Sequence, residues 1–129
     1  MTKIRYKRHA RFVNQFQKLQ RKYHTLDKDL TIAENAAIEL LHIKNLDNRS
    51  IELIPGFNSE RIKICKLKKF ACQSLKGKGV KSGIRIIYAF YPKQLAVEYL
   101  EIYYKERSDT DMDYDFVREY FDFYSKDKK

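Results

Sequence analysis

The sequence predicts one α+β domain, with a curved antiparallel sheet of four to five strands, an N-terminal helical hairpin and a C-terminal helix. Its 129 residues can form one hydrophobic core and are too few for two. A hydrophobic fraction of 43% argues against a disordered chain. Several strand-like segments follow one another across short turns, which favours antiparallel pairing with the helices packed on one face. We expect the domain to span residues 1–129, with residues 125–129 as a frayed tail.

The first third of the chain predicts a short strand and two helices. Residues 4–12 begin with alternating apolar and basic side chains, a pattern typical of a charged edge strand. From Phe12 to Leu26, apolar residues recur at three- and four-residue steps, which predicts an amphipathic helix. Thr25 is the expected N-cap of a second helix, and the alanines on its apolar face predict close packing of the two helices as a hairpin.

The next segments predict two strands, the second of them long. Residues 51–54 form a short strand that is expected to stop at Pro55. Residues 61–75 form a long strand whose apolar parity changes near its middle, which indicates a bulge. Cys65 and Cys72 lie in this segment without the spacing of a zinc site or a disulfide framework, so we expect two buried free thiols.

The clearest strand spans residues 83–91, and its alternate positions separate into two faces. One face consists of Ile84, Ile86, Tyr88 and Phe90, and the other of Arg85, Ile87, Ala89 and Tyr91. Residues 77–83 predict a hairpin loop rich in glycine and lysine, and residues 95–104 predict a returning strand. Asp113 is the expected N-cap of a final helix. The apolar face of that helix is Tyr114, Val117, Phe121 and Tyr124.

Positive charge is concentrated in one stretch of the chain. Residues 61–93 hold ten of the 27 basic residues and none of the 17 acidic ones, so this stretch accounts for the net charge of +10. Such a surface predicts an anionic partner, and nucleic acid is favoured over a membrane because the chain has no basic amphipathic helix. No apolar run is long enough to span a membrane, and the N-terminus lacks the apolar core of a signal peptide. We therefore expect a cytoplasmic protein without membrane contact.

Two neighbouring stretches resemble a known family. They are SLKGKGVKSGIRIIYAFYP and VEYLEIYYKERSD, and they contain in order a basic strand, a glycine-containing turn, a strand with the pattern Gly-x-Arg-hydrophobic-hydrophobic-Tyr, and a strand ending in lysine. This order is similar to that of the RelE/ParE superfamily, the toxins of bacterial type II toxin–antitoxin pairs. FVNQFQKLQRKYHTLDKDL also resembles the first helix of that family and the turn after it. The resemblance extends from about residue 4 to residue 120.

The resemblance implies a RelE-like toxin that cleaves messenger RNA on the ribosome by metal-free attack of the 2′-hydroxyl. It implies no metal and no cofactor, and as partners a cognate antitoxin, messenger RNA and ribosomal RNA. Two alternatives stay open, namely a ParE-like toxin that binds DNA gyrase, and a non-catalytic RNA-binding protein or decayed toxin. The second alternative arises because residues 71–74, ACQS, replace basic residues that RNA-cleaving members often carry. Whether the chain is an enzyme is therefore left open.

Arg85 is the leading candidate for a catalytic residue. It lies on a strand whose alternate positions are all apolar, so its side chain is expected to point away from the main core. Its planar guanidinium suits bidentate contact with a phosphate. The alternative is a structural ion pair with Glu98 or Glu101 on the next strand. Further catalytic candidates are Lys69, Lys105 and Tyr104. The expected RNA-binding residues are Lys66, Lys68, Lys76, Lys78, Lys81 and Arg107.

Histidines and other tyrosines contribute less to this prediction. The histidines His9, His24 and His42 all precede the basic stretch, and none forms a local acid–base pair in the sequence. In some relatives a tyrosine closes the active site, and here Tyr104, Tyr114 and Tyr120 are the possible counterparts. Tyr103 can stack a base or donate a proton, although strand tyrosines more often serve packing.

Overall fold

The computed structural model describes residues 3–47, 49–75, 82–105 and 111–126. In chain order, these ranges contain β1 (Arg5–Arg8), α1 (Ala10–Gln20), α2 (Leu26–Ala33), a π-helical turn (Glu34–Ile38), α3 (Glu39–His42), β2 (Ile51–Asn58), β3 (Lys63–Leu67), β4 (Ile84–Tyr91), β5 (Ala96–Tyr104) and α4 (Tyr114–Ser125). None of these helices combines the length and the hydrophobicity needed to cross a bilayer.

The five strands form one mixed sheet in the order β1-β5-β4-β3-β2. The strands from β2 to β5 form an antiparallel meander, as the strand order predicts. β1 lies at the edge of the sheet, as predicted, but it runs parallel to β5, with Arg5 opposite Ala96 and Arg8 opposite Tyr99. The prediction of a purely antiparallel sheet is therefore wrong at β1. These two strands are far apart in the sequence, so no tight turn forces them to run in opposite directions.

Helices cover both faces of the sheet, whereas the sequence predicted helices on one face only. The helices from α1 to the π-helical turn pack on one face in a first core that includes Phe12 and Tyr88. α4 packs on the opposite face in a second core that includes Ile87, Leu100 and Val117. Both sets of alternate side chains along β4 are mostly apolar and buried. A strand with two apolar faces needs a cover on each side, which explains the position of α4.

A bulge in β5 determines which tyrosine faces which core. The pairing of β5 with β4 shifts by one residue at Leu100, and this extra residue reverses the alternation of side chains along the strand. Tyr103 therefore packs beside the second core, whereas Tyr104 packs beside the first. Residues 96–104 contain no glycine or proline that would mark the bulge, so alternation alone does not reveal it.

The strand β2 is longer than predicted. It continues through Pro55 and Gly56 to Asn58, whereas the sequence predicted a stop at Pro55. β2 is the other edge of the sheet, where a proline leaves no ladder hydrogen bond unmade. Gly56 adopts a φ of +86°, which a glycine tolerates without strain, and the register shifts beyond Leu53.

The strand β3 is shorter than predicted and ends at Leu67. Its pairing with β4 ends at Leu67, opposite Ile86, while on the other side the N–H of Lys68 still donates to the carbonyl oxygen of Ser50 at 2.8 Å. Lys69 consequently lies in a loop and not on the predicted strand. As predicted, Cys65 and Cys72 are free and buried.

The final helix begins as predicted and ends later. The carboxylate of Asp113 accepts a hydrogen bond from the N–H of Phe116 at 3.1 Å, which is the expected N-cap. The helix buries Val117, Tyr120 and Phe121. Tyr114 and Tyr124 were predicted to share this apolar face, but both are exposed. The helix includes Ser125, the first residue of the predicted frayed tail.

Candidate nucleic-acid interface

Arg85 lies near the start of β4, on the face of the sheet that carries the second core. In register it is opposite Tyr103 of β5. Its side chain is partly buried, and Nη1 donates to the carbonyl oxygens of Lys68 at 3.0 Å and Ile84 at 3.5 Å. These carbonyl contacts position the guanidinium, and because carbonyl oxygens are neutral they leave its positive charge in place.

The two carboxylates considered as structural partners of Arg85 bind other groups. Glu98 accepts a hydrogen bond from the hydroxyl of Tyr120. Glu101 is buried and forms an ion pair of 3.0 Å with Nε of Arg11. Among the residues that the structure describes, no carboxylate forms an ion pair with Arg85. Within the described ranges, no carboxylate therefore neutralises its charge.

Close to Arg85 in the sheet, a cation and a hydroxyl group converge on one carboxylate oxygen. Lys66 of β3 lies on the same face, and its Nζ is 3.0 Å from Oδ1 of Asp111. The hydroxyl of Tyr103 donates to the same oxygen at 3.0 Å. The N–H of Met112 donates to it as well, at 2.8 Å. Asp111, which precedes α4, is thus bound to the sheet by its side chain.

These contacts set the protonation states of Asp111 and Tyr103. Burial opposes ionisation of Asp111, but the hydrogen bonds from Lys66, the Met112 N–H and Tyr103 outweigh it and lower the pKa of this carboxyl to about 2. Burial, followed by the hydrogen bond to Asp111 and the charge of that carboxylate, raises the pKa of Tyr103 above its ordinary value. At neutral pH the pair therefore consists of a carboxylate and a neutral hydroxyl that donates.

A second set of contacts fixes the start of α4 over this face. Arg11 of α1 binds Glu101 through Nε and Asp113 through Nη2, both at 3.0 Å. Glu101 is 2% exposed, and its second oxygen accepts the backbone N–H of Asp113 at 3.0 Å. α1, β5 and α4 therefore meet at one buried carboxylate, which keeps Asp111 within reach of Lys66.

The structure places two predicted catalytic residues away from Arg85. Lys69 is exposed and lines a cavity of about 120 Å³ beside Ala33 of α2. The ring of Tyr104 stacks on Tyr23 with ring centroids 5.9 Å apart, on the first-core face. The bulge in β5 is the physical reason for the position of Tyr104, and the early end of β3 is the reason for that of Lys69.

Two other predicted residues lie at the same end of the sheet as Arg85. Lys68 follows β3 and accepts the hydrogen bond of Arg85 through its carbonyl oxygen. Lys105 follows β5, and its N–H donates to the carbonyl oxygen of Gly83 at 2.8 Å, which extends the pairing of β4 with β5 by one residue. Four predicted RNA-binding residues lie outside the described ranges, and they are Lys76, Lys78, Lys81 and Arg107.

The histidines occupy other parts of the fold. His9 caps α1, where its Nδ1 accepts a backbone N–H of the first turn at 3.0 Å. Nε2 of His42 lies 2.7 Å from the hydroxyl of Tyr88. Burial, followed by the nearby charge of Lys63, lowers the pKa of His42 to about 4. His24 is exposed in the turn between α1 and α2. None of the three lies on β3, β4 or β5, where the cations converge.

The comparisons with known proteins concern the fold. The sequence matches no protein-family model and no curated protein. A search of solved structures finds a chain of the archaeal RelE–RelB complex from Pyrococcus horikoshii OT3, at 16% sequence identity and a TM-score of 0.50. The match covers 83% of this chain and 100% of that chain. The chain therefore has a RelE-like fold, as the resemblance of its strands implied.

From the sequence, Tyr103 was a possible stacking or proton-donating residue for which packing was favoured, and Asp111 had no predicted role in binding or catalysis. Tyr103 reaches the face of Arg85 only because of the bulge in β5. Asp111 lies just before a helix, where acidic residues are common. No local signal indicates its contact with Lys66, which is 45 residues away in the sequence. The described part of the interface thus contains two cations, a neutral hydroxyl donor and the Asp111 carboxylate, which pairs with Lys66. The cations and the hydroxyl are groups that suit the oxygens of a phosphate.

Proposed function

We propose that this chain is the toxin of a type II toxin–antitoxin pair and cleaves messenger RNA on the ribosome. The proposal rests on the contacts of the Arg85 side chain. In a RelE-like fold, its guanidinium is positioned by carbonyl oxygens and has no carboxylate partner among the described residues. A partly exposed guanidinium of this kind suits a phosphate, because its planar fork can bind two oxygens at once.

In the proposed reaction, the 2′-oxygen of one nucleotide attacks the adjacent phosphorus, and the bond from phosphorus to the 5′-oxygen breaks. Arg85 stabilises the negative charge that develops on the phosphate oxygens. Tyr103 supplies the proton that the leaving 5′-oxygen takes up, and Lys105, in its neutral amine form, is assigned as the group that accepts the proton of the 2′-hydroxyl. The products are a 2′,3′-cyclic phosphate and a free 5′-hydroxyl.

The basic residues around Arg85 bind the RNA backbone in this proposal. Lysine and arginine side chains neutralise phosphates without reading the sequence, so binding should weaken strongly as salt rises. The assigned residues are Lys66, Lys68, Lys76, Lys78, Lys81 and Arg107. The cognate antitoxin is proposed to cover this surface with acidic side chains, and the similar chain from Pyrococcus horikoshii comes from a complex of RelE with RelB.

A second candidate function is RNA binding without cleavage. It is favoured by the positions of His9, His24 and His42, none of which lies on the strands that carry Arg85 and Lys66. Proton transfer would then depend on a tyrosine and a lysine alone. This candidate predicts the same salt-sensitive RNA binding but intact transcripts.

Cleavage on ribosomes separates the two functions. We expect the wild-type chain to stop growth on induction and to produce fragments with 2′,3′-cyclic phosphate ends from ribosome-bound messenger RNA. Arg85→Ala should lower the cleavage rate by about 10²-fold or more, because it removes a group that stabilises the transition state. Arg21→Ala is a matched control, because Arg21 is an exposed arginine just beyond the end of α1.

The proposal fails if Arg85→Ala stops growth and cleaves as well as the wild-type chain does. Arg85→Lys retains the charge but loses the planar fork, and partial recovery of activity would show how much of the effect is electrostatic. Intact transcripts together with tight, salt-sensitive RNA binding would favour the second candidate.

A further inference from the structure

The face that carries Arg85 already holds an anion that belongs to the chain itself. Oδ1 of Asp111 accepts three hydrogen bonds, from Lys66 Nζ, the Tyr103 hydroxyl and the Met112 N–H. The first two donors come from β3 and β5, and they would stay in place if the carboxylate moved away. Three donors that converge on a single oxygen form an anion-binding site.

We infer that Lys66 and Tyr103 form a phosphate-binding subsite, which the Asp111 carboxylate occupies in the free chain and which a phosphate of bound RNA takes over. The identity of the anion as RNA rests on the proposed function, whereas the exchange itself rests on the geometry. Asp111 is therefore an internal competitor of RNA, and the affinity for RNA includes the cost of breaking its contact with Lys66.

The exposures of the groups favour exchange at this carboxylate. The side chain of Asp111 is 56% exposed, whereas that of Lys66 is 15% exposed. The sheet thus fixes the cation, and the carboxylate lies at the surface, where it can leave when a phosphate takes its place on Lys66. Glu101, the other carboxylate on this face near Arg85, is 2% exposed and anchors α4, so it is not replaceable in this way.

The exchange also changes the group that accepts the hydrogen bond of Tyr103, the proton donor of the proposed reaction. In the free chain, the hydroxyl of Tyr103 donates to Asp111. After the exchange, the same hydroxyl is directed at a phosphate oxygen. The hydrogen bond and the negative charge of Asp111, which both raise the pKa of Tyr103, are then replaced by those of the phosphate, so the hydroxyl stays a neutral donor in both states.

The test measures binding of a short 2′-O-methyl oligoribonucleotide, which cannot react through its 2′-oxygen. Asp111→Asn keeps the size of the side chain and removes the competing charge, so we expect the Kd to fall roughly tenfold at low salt. Asp122→Asn is the matched control, because Asp122 is 54% exposed and forms an ion pair of 3.5 Å with Arg118 on α4. Asp122→Asn removes one negative charge from another part of the surface, so it should lower the Kd less than about twofold.

Equal tightening by Asp111→Asn and Asp122→Asn, or no tightening by Asp111→Asn, would overturn the inference. Thermal unfolding of each variant confirms that the compared proteins are folded.

A double-mutant cycle with Lys66→Gln gives a second and independent readout. In the wild-type chain, Lys66→Gln should change RNA binding little, because the lysine gains a phosphate only by losing Asp111. In the Asp111→Asn background, the same change should weaken binding several-fold, because the lysine is then free to bind RNA. Additive effects of the two changes would contradict the exchange.

These measurements separate this inference from the proposed function. If Asp111→Asn tightens RNA binding but no variant cleaves RNA, the nuclease proposal fails and the exchange stands. If cleavage depends on Arg85 and the cycle is additive, the exchange fails and the nuclease proposal stands.

Discussion

The two faces of the sheet use the same chemical pair, a tyrosine hydroxyl and a carboxylate, in different ways. On the first-core face, fully buried Tyr99 donates at 2.8 Å to half-buried Glu34, which begins the π-helical turn. On the second-core face, Tyr103 donates at 3.0 Å to Asp111, whose side chain is 56% exposed. A buried pair cannot change partners without a large cost, whereas an exposed one can. The comparison indicates that the first face provides stability and that the exposed end of the second face is available for binding.

The largest expected effect tests stability on the first face. Phe12 is fully buried and stacks on Tyr99 with ring centroids 5.0 Å apart. Phe12→Ala should lower the free energy of unfolding by about 3–5 kcal/mol, because it leaves a cavity in the core. Urea denaturation measures this change. Phe123→Ala is the control, since Phe123 is 60% exposed and its removal should cost less than about 1 kcal/mol.

Weaker RNA binding by the folded fraction of Phe12→Ala than by the wild-type chain would contradict this division of roles between the two faces. In that case the first face would contribute to binding as well as to stability.

The sequence predicted the α+β class, the antiparallel meander from β2 to β5 and the face of Arg85, because all three depend on local patterns. The alternation along β4 is strict and assigned Arg85 and Ile87 to the same face, where the structure places them. The N-cap at Asp113 depends on residues within one turn and was also predicted correctly. These signals need no knowledge of contacts between distant segments.

The missed features depend on pairing between distant segments. The bulge at Leu100 follows from the register of β5 against β4, so the sequence did not indicate which of Tyr103 and Tyr104 shares the face of Arg85. The parallel direction of β1 and the position of α4 likewise depend on how separate segments pack. The contact of Lys66 with Asp111 is of the same kind, because it joins β3 to the residues before α4.

A smaller effect concerns the pH dependence of the two faces. The pKa of His42 on the first face is about 4, below its ordinary value of 6.5. The unfolded chain therefore binds a proton in this range while the folded chain does not. The resulting stability is present above pH 6.5 and is lost as the pH falls towards 4, by at most about 3 kcal/mol. His42→Gln should remove this part of the pH dependence in urea titrations at several pH values.

The control for this measurement is His24→Gln, because His24 is exposed in a turn. Asp111 on the second face behaves differently, since its pKa is lowered from 3.8 to about 2 and its contribution is lost only as the pH falls through that lower range. If His42→Gln and His24→Gln change the pH dependence equally, the burial of His42 does not have the assigned effect.

The smallest expected effect compares two adjacent tyrosines on opposite faces. In the Asp111→Asn background, Tyr103→Phe should weaken binding of the 2′-O-methyl oligoribonucleotide about two- to tenfold, because one hydrogen bond to a phosphate is lost. Tyr104→Phe removes the same hydroxyl group from a ring that stacks on Tyr23 on the first face, and it should leave the Kd unchanged. The Asp111→Asn background is required because in the wild-type chain Tyr103→Phe also weakens the competing carboxylate contact, and the two consequences oppose each other. Equal effects of the two substitutions on the Kd would contradict the assignment of Tyr103 to RNA binding and of Tyr104 to packing.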